Sequence, residues 1–282
     1  MKYYLYAMGA IFCWASLPAA TGSGLKELST LELMFYSFTS AGLFLTLKDL
    51  AVSRSFKIYL PSKGGILLGI WGIFLYHLVY YHALDHAPLA EGAILATTWS
   101  FWIVVFGSIL KSKRLKPMVL ITALAGLGGA ALVIGSGKAL EFNPSHLKGY
   151  CLALCCGLIW GSFSVAIPLM KFKRDPMTSF TLVAALLSGL LFAGSGPHHL
   201  PSLRALLSAA YLGTVPLGLS FFLWNRAVSK GNLAVIGFLS YLTPPLTVLL
   251  VALIHHQQVA PQVIAGMVVI IGAAIVGNRY QE

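Results

Sequence analysis

Ten long apolar runs leave this chain few choices of fold. They lie near residues 3–22, 31–48, 63–84, 88–110, 117–136, 147–170, 176–195, 202–225, 232–254 and 260–278. Each approaches the roughly 20 residues that an α-helix needs to cross a bilayer. Only 10% of the chain is charged and 58% is apolar, whereas soluble domains carry about a quarter of their residues as charge. The runs are separated by short turn-forming segments: LPSKGG, DHAP, LKP, FNPSH, RDP, SGPHHLP, KGN and VAP. The expected fold is an all-α integral membrane protein of ten transmembrane helices, with little room for a soluble domain. The first run begins two residues after Met1 and carries no clear cleavage pattern, so it reads as a retained helix rather than a removed leader.

Basic residues set the orientation. Lys2, Lys48, Arg54, Lys57, Lys63, Lys111, Lys113, Arg114, Lys116, Lys171, Lys173, Arg174, Arg226, Lys230 and Arg279 fall on the side of the N-terminus. Lys26, Lys138, Lys148 and Arg204 fall on the other. Fifteen against four places the N- and C-termini in the cytoplasm by the positive-inside rule. The formal charge of +11 is thereby spread over juxtamembrane collars, which suit orientation and anionic lipid rather than nucleic acid.

The chain is written twice. Set beside residue n+144, Ala83 falls on Ala227, Leu89 on Leu233, Ala90 on Ala234, Pro117 on Pro261 and Gly128 on Gly272. CWAS at 13–16 resembles IWGS at 159–162. Residues 1–141 and 142–282 thus form two five-helix repeats, and because five is odd the second enters the membrane inverted. That is a layout of secondary transporters, whose solute site typically lies near the midplane between the halves.

Five helices plus five, a Trp in the first helix of each half, YHALDHAPLAEGAIL leading into helix four and QVIAGMVVIIGAAIVGN in helix ten together resemble the drug/metabolite transporter superfamily, EamA type. Within it the size and aromatic richness look most like bacterial exporters of aromatic amino acids and related metabolites. The resemblance implies export from the bacterial cytoplasm across the inner membrane. One departure stands out: the family often has a Gly-Glu pair ending the fourth helix of each half, where this chain has SILKSKRLKP and ALIHHQQVAP. No role assigned to that Glu carries over.

The stretch FLYHLVYYHALDHAP places Phe74, His77, Tyr80, Tyr81 and Leu84 on one helical face, and the repeat carries that face onto Phe221, Trp224, Asn225 and Val228. Aromatic rings with polar tips suit a cavity for an aromatic or amphipathic solute. Tyr81, His82 and His86 read first as an interfacial belt. His77, about two turns deeper, reads as facing the bundle interior, either lining the path or bonded to a neighbouring helix.

Trp14 and Trp160 occupy equivalent mid-helix points, with Ser16, Ser162 and Ser164 around them. Helix four adds Thr97, Thr98, Trp99 and Trp102, and helix nine adds Ser240, Tyr241 and Thr243 before Pro244-Pro245. The double proline must kink or break helix nine, freeing carbonyls near Ser240 and Tyr241 for a solute ammonium or for neighbouring helices. The candidate solute-binding set is therefore Trp14, His77, Tyr80, Tyr81, Thr98, Trp99, Trp160, Ser164, Trp224, Asn225, Ser240 and Tyr241. Gly65 with Gly69 and Gly157 with Gly161 read as close helix contacts. Glu91, in the first turn after Pro88, complements a helix N-terminus.

No Lys, Arg, Asp or Glu stands at the expected midplane, which disfavours phosphorylated and permanently cationic cargo and leaves neutral or zwitterionic solutes with an apolar body. IGSGKA at 134–139 fails as a phosphate loop, because Leu132 stands where its first Gly should and Ala139 replaces Ser or Thr. HExxH and GxSxG motifs are missing, so no enzyme, metal or cofactor is expected. Cys13, Cys151, Cys155 and Cys156 read as small apolar core residues. The expected partners are a small-molecule solute and the lipid bilayer, and a monomer suffices for such a layout. A multidrug or other metabolite exporter, or an uncoupled facilitator, is the alternative.

Overall fold

The computed structural model describes residues 1–54, 58–135, 143–196, 200–254, 256 and 258–280. The first half contains α1 (Lys2–Ala15), α2 (Leu17–Gly24), α3 (Thr30–Ser53), α4 (Lys63–Gly69), α5 (Tyr76–His86), α6 (Leu89–Ala96), α7 (Trp99–Ser112) and α8 (Pro117–Gly135). The second contains α9 (Leu147–Leu169), α10 (Met177–Ala193), α11 (Leu203–Leu212), α12 (Ser220–Lys230), α13 (Leu233–Ser240), α14 (Thr243–Ile254) and α15 (Pro261–Arg279).

Consecutive helices often join without a loop, so among the described residues nine segments are long and apolar enough to cross a membrane. They are Lys2–Gly24, Thr30–Val52, Lys63–His86, Glu91–Ser112, Pro117–Gly135, Pro144–Leu169, Leu203–Lys230, Leu233–Leu250 and Pro261–Arg279. The remaining expected run forms the shorter apolar helix Met177–Ala193, of 17 residues. The chain is an all-helical, multi-pass membrane protein. The expected boundary between halves, at residues 141 and 142, lies outside the described residues.

Short polar caps end these apolar helices where the chain must turn. Ser29 accepts from the Glu32 N–H while the Glu32 carboxylate accepts from the Ser29 N–H, a capping box that starts α3. Ser62, Ser202 and Asn232 cap α4, α11 and α13 in the simpler manner.

Two spans depart from α-geometry in the middle. Ile70–Leu75, between α4 and α5, and Gly213–Leu219, between α11 and α12, are π-helical. The local causes differ. Pro216 has no N–H to give to an α-helical bond, whereas at Gly72 the ring of Phe163 lies where a Cβ would stand and presses directly on the backbone.

The irregularities recur at the spacing seen in the sequence. Displaced by 144 residues, Ile70–Leu75 falls on 214–219, α5 falls on α12 and α6 on α13 with both ends coinciding to the residue, and the start of α8 falls on the start of α15. The break between α6 and α7 at Thr97-Thr98 falls likewise on Tyr241-Leu242, between α13 and α14. Helix pairing shows the same correspondence, since α1 packs on α12 and α9 on α5, while α3 meets α10 and α8 meets α15.

The glycine pairs serve close approach. A Cβ at Gly65 would meet Pro61 and Phe172, and one at Gly69 would overlap Phe180. Gly157 lies against Thr98, and Gly161 against Trp102. The cysteines are less interior than expected: Cys156 is buried and Cys13 half-buried, but Cys151 and Cys155 are exposed on the outside of α9. A thiol is apolar enough to face lipid, so burial patterns from soluble proteins mislead here.

Candidate functional site

A cavity of about 370 Å³ opens among α1, α2, α5, α6, α7, α8, α9, α12 and α14. Its deep wall is Trp14, Trp99 and Trp160, and its side carries Tyr76, His77, Tyr80 and Tyr81. Thr97, Thr243 and Thr247 add hydroxyl groups opposite, and Leu17, Pro18, Ile134 and Val248 complete the apolar lining. Among the described residues that line it, none is Lys, Arg, Asp or Glu.

Trp14 is the hub. Its ring centroid lies 5.7 Å from Trp99 and 5.5 Å from Trp160, both edge-to-face at 81°, and 5.0 Å from Trp224. Such geometry suits aromatic quadrupoles and holds the indoles rigidly. The serines expected to line the site orient it instead: Ser164, fully buried, accepts from Trp224 Nε1 at 3.0 Å.

His77 is 4% exposed and packs edge-on against Phe38, Tyr76 and Phe221. Its Nδ1 lies 2.7 Å from the Ile73 carbonyl inside the π-helical segment. A carbonyl only accepts, so Nδ1 carries the hydrogen, and Nε2 is the ring nitrogen left to meet a solute.

All of this lies on the half of the bundle away from Lys2, since the lining residues of α2, α5, α6 and α8 lie toward the span ends remote from it. Toward Lys2 the packing continues in aromatic rings. A ladder of rings descends from Trp160 to Phe163 at 5.4 Å, to Phe180 at 6.2 Å and to Phe172 at 5.8 Å. Below it Lys48 pairs with Asp49 at 2.8 Å, and Thr178 Oγ1 donates to Asp49 at 2.5 Å, tying α3 to α10.

Of the twelve candidates, Trp14, His77, Tyr80, Tyr81, Trp99 and Trp160 line the cavity. Tyr81 is 4% exposed and so is no interfacial belt residue; His82 is exposed, and His86 meets Lys148 Nζ at 2.9 Å through Nε2. The other six are set behind the wall. Thr98 turns its hydroxyl onto Leu95 O at 2.6 Å, and Trp224 and Ser164 bind each other. Asn225 accepts from Ser229 at 3.3 Å. Ser240 Oγ donates to Ser100 Oγ at 2.8 Å, and Tyr241 OH donates to Ala123 O at 2.8 Å, both spanning the two halves.

Helix nine does break near its prolines, at Tyr241-Leu242, but Pro244 and Pro245 sit in the first turn of α14, where a missing N–H is tolerated. The freed Ser240 carbonyl accepts from Thr243 Oγ1 at 2.8 Å. Tyr76 was missed, although it stands four residues before Tyr80 in the regular helix α5, where i,i+4 spacing sets the two rings side by side. Glu91, read as a helix-dipole partner, also accepts a hydrogen bond from Tyr150 OH.

The EamA-like transporter family model matches residues 1–135 and 147–278. The chain belongs to the EamA-like transporter family. It is 30% identical to the aromatic amino acid exporter YddG of Ancylobacter novellus, over 97% of this chain and 96% of that one. A probable terminal-alkyne amino-acid exporter of Streptantibioticus cattleyicolor is 22% identical over 95% of this chain and 91% of its own. The pseudopaline exporter CntI of Pseudomonas aeruginosa is 24% identical over 57% of this chain and 53% of its own. A solved crystal structure superposes with a TM-score of 0.88 at 30% identity, covering 99% of this chain and 98% of that one. Members of this EamA-like family are transporters.

Proposed function

We propose that this protein is a secondary carrier that exports aromatic or hydrophobic amino acids and related amphipathic metabolites across the bacterial cytoplasmic membrane by alternating access. One observation carries the reading: a 370 Å³ cavity walled by three indoles, three phenols and one imidazole, with no charged side chain among its described lining residues. Indole faces offer a stacking surface to an aromatic or aliphatic side chain. The hydroxyls of Tyr76, Tyr80, Tyr81 and Thr97 and the Nε2 of His77 offer the few directed hydrogen bonds that a zwitterionic head needs.

The repeated helix boundaries and the symmetric pairing of α1 with α12 and α9 with α5 support two inverted five-helix halves. With Met177–Ala193 counted as a tenth span and both termini in the cytoplasm, the cavity faces outward and the Phe163–Phe180–Phe172 ladder is the closed inner gate. Export completes when the halves rock, the ladder parts and the outer mouth closes. The names of the relatives point the same way on substrate class.

Uptake of radiolabelled phenylalanine, tryptophan, threonine and a cationic dye into proteoliposomes, with and without a proton gradient, tests this. Saturable flux of the aromatic amino acids, competed by unlabelled compound and reduced by Trp160→Ala, is the expected result. Flux of dye alone would replace this reading by a multidrug exporter. Saturable amino-acid flux that cannot be driven uphill by any gradient would replace the coupled carrier by a facilitator.

A further inference from the structure

A second, larger hollow of about 750 Å³ lies outside the central cavity, between α2 and α11 and reaching Leu250 of α14. Ser16, Ala19 and Ser23 form one bank, and Leu203, Arg204, Leu207, Ser208 and Tyr211 the other. It opens sideways, where lipid would be: Leu203 is 72% and Leu207 61% exposed. We propose that this groove binds one phospholipid of the leaflet remote from the chain termini, with its phosphate on Arg204 and an acyl chain lying inward past Ala19 and Leu207.

Depth and charge fit that occupant. Arg204 is the second residue of α11, at the headgroup end, and Tyr211 lies seven residues on, about 10 Å deeper at 1.5 Å per residue. That distance takes up most of one leaflet of a roughly 30 Å hydrocarbon core. At the deep end, Tyr211 OH donates to Ser16 Oγ at 2.9 Å, and Ser16 Oγ donates to Cys13 O at 2.9 Å. These hydroxyls are spent on protein, so the floor behaves as apolar surface suited to a hydrocarbon chain.

At the mouth the reverse holds. Arg204 is exposed and has no carboxylate partner among the described residues, while nearby Glu27 is engaged by the Ser202 hydroxyl. A guanidinium at the headgroup level beside a groove is complementary to a lipid phosphate. The occupant would also brace the carrier, because Leu17 and Pro18, next along the chain from Ser16, and Thr247 and Val248, just before Leu250, line the central cavity.

Native mass spectrometry of the full chain in mild detergent tests the site, after delipidation and addition of phosphatidylglycerol, phosphatidylethanolamine or uncharged diacylglycerol with the same chains. The expected result is one tightly retained phospholipid and at least fivefold weaker retention of diacylglycerol. Arg204→Gln should reduce phospholipid retention at least fivefold, and Lys26→Gln should leave it unchanged. Ala19→Trp and Leu207→Trp, which fill the groove but keep the charge, should each expel the lipid. Equal retention of phosphatidylglycerol and phosphatidylethanolamine supports recognition of the shared phosphate, and preference for the former supports it with a net-charge contribution. Retention that is indifferent to Arg204→Gln, or to both tryptophan variants in protein that remains monodisperse with an unchanged helical circular-dichroism spectrum, overturns the proposal. So does diacylglycerol bound as well as the phospholipids.

Discussion

Trp224 gives its indole N–H to Ser164 Oγ at 3.0 Å, and both side chains are buried beneath Trp14. Removing the acceptor alone leaves a buried donor unpaired, whereas removing both partners is far milder. Ser164→Ala should lower stability by about 1–2 kcal/mol, in the range of interhelical hydrogen bonds in membranes, and weaken solute affinity by loosening the tryptophan hub. Trp224→Phe combined with Ser164→Ala should cost less than the sum of the single changes. Thermal unfolding in detergent, arranged as a double-mutant cycle, measures this; strict additivity would show that the bond contributes nothing.

His77→Phe keeps the ring volume but removes both nitrogens, one bonded to Ile73 and one left for the solute. The protein should stay folded, while amino-acid flux into proteoliposomes falls about tenfold or more, the 1.4 kcal/mol scale of one lost hydrogen bond. His77→Gln, which retains a polar tip, should recover part of the loss. Flux that His77→Phe leaves unchanged would remove the imidazole from the solute path.

Gly72 admits the Phe163 ring against its backbone. Gly72→Ala should destabilise by roughly 1–3 kcal/mol, as overpacking does, and Phe163→Leu in the same chain should restore most of it. If the alanine variant alone melts like the parent, the π-helical turn has room that the packing denies.

The α8–α15 contact offers a control within one pair of helices. A Cβ at Gly129 would stand 2.8 Å from the Gly266 carbonyl oxygen, and one at Gly266 2.6 Å from the Gly129 oxygen, yet Gly128 and Gly272 have nothing within 4 Å. Gly129→Ala and Gly266→Ala should therefore lower the melting temperature. Gly128→Ala and Gly272→Ala should leave it unchanged or raise it, by up to about 1 kcal/mol of helix propensity. Melting curves of the four variants decide it, and equal effects at all four positions would refute the close approach.

Asp175, in the loop before α10, has its carboxyl pushed up by burial, against the Met177 N–H, Lys48 and Asn225, which favour the anion, and with Asp49 adding to the rise. Its Oδ1 accepts from the Met177 N–H at 3.0 Å, while Oδ2 is sealed off. A raised folded-state value means that its contribution is fully present below the ordinary carboxylate value of about 3.9 and is lost as pH rises through the raised one. Asp175→Asn should thus melt higher than the parent at pH 8, by roughly 2–4 °C for each kcal/mol recovered, with the gap closing as pH falls toward about 4. A gap that is constant with pH would exclude titration at this site.

Much of this could be read without coordinates. Runs such as 117–136 and 260–278 are too long and too apolar for anything but a membrane, so the helical architecture followed from the cost of exposing backbone amides to lipid. The 144-residue correspondence of Ala83 with Ala227 and Pro117 with Pro261 preceded its structural counterpart, the matching breaks at Thr97-Thr98 and Tyr241-Leu242. Trp14, Trp99, Trp160, His77, Tyr80 and Tyr81 could be named as candidates because aromatic rings with polar tips are conspicuous among leucines. What sequence could not decide was which polar groups face solute and which face one another. Ser164, Ser240 and Tyr241 have the same chemistry as the cavity wall, yet each is satisfied by a partner that only the packing brings near. Nor could it foresee the π-helical turn at Ile70–Leu75, which contains Phe74, expected on the His77 face but not among the residues that line the cavity. Periodicity assigns a residue to a face of its own helix; which neighbour that face meets depends on where the other helices settle, and that is tertiary structure alone.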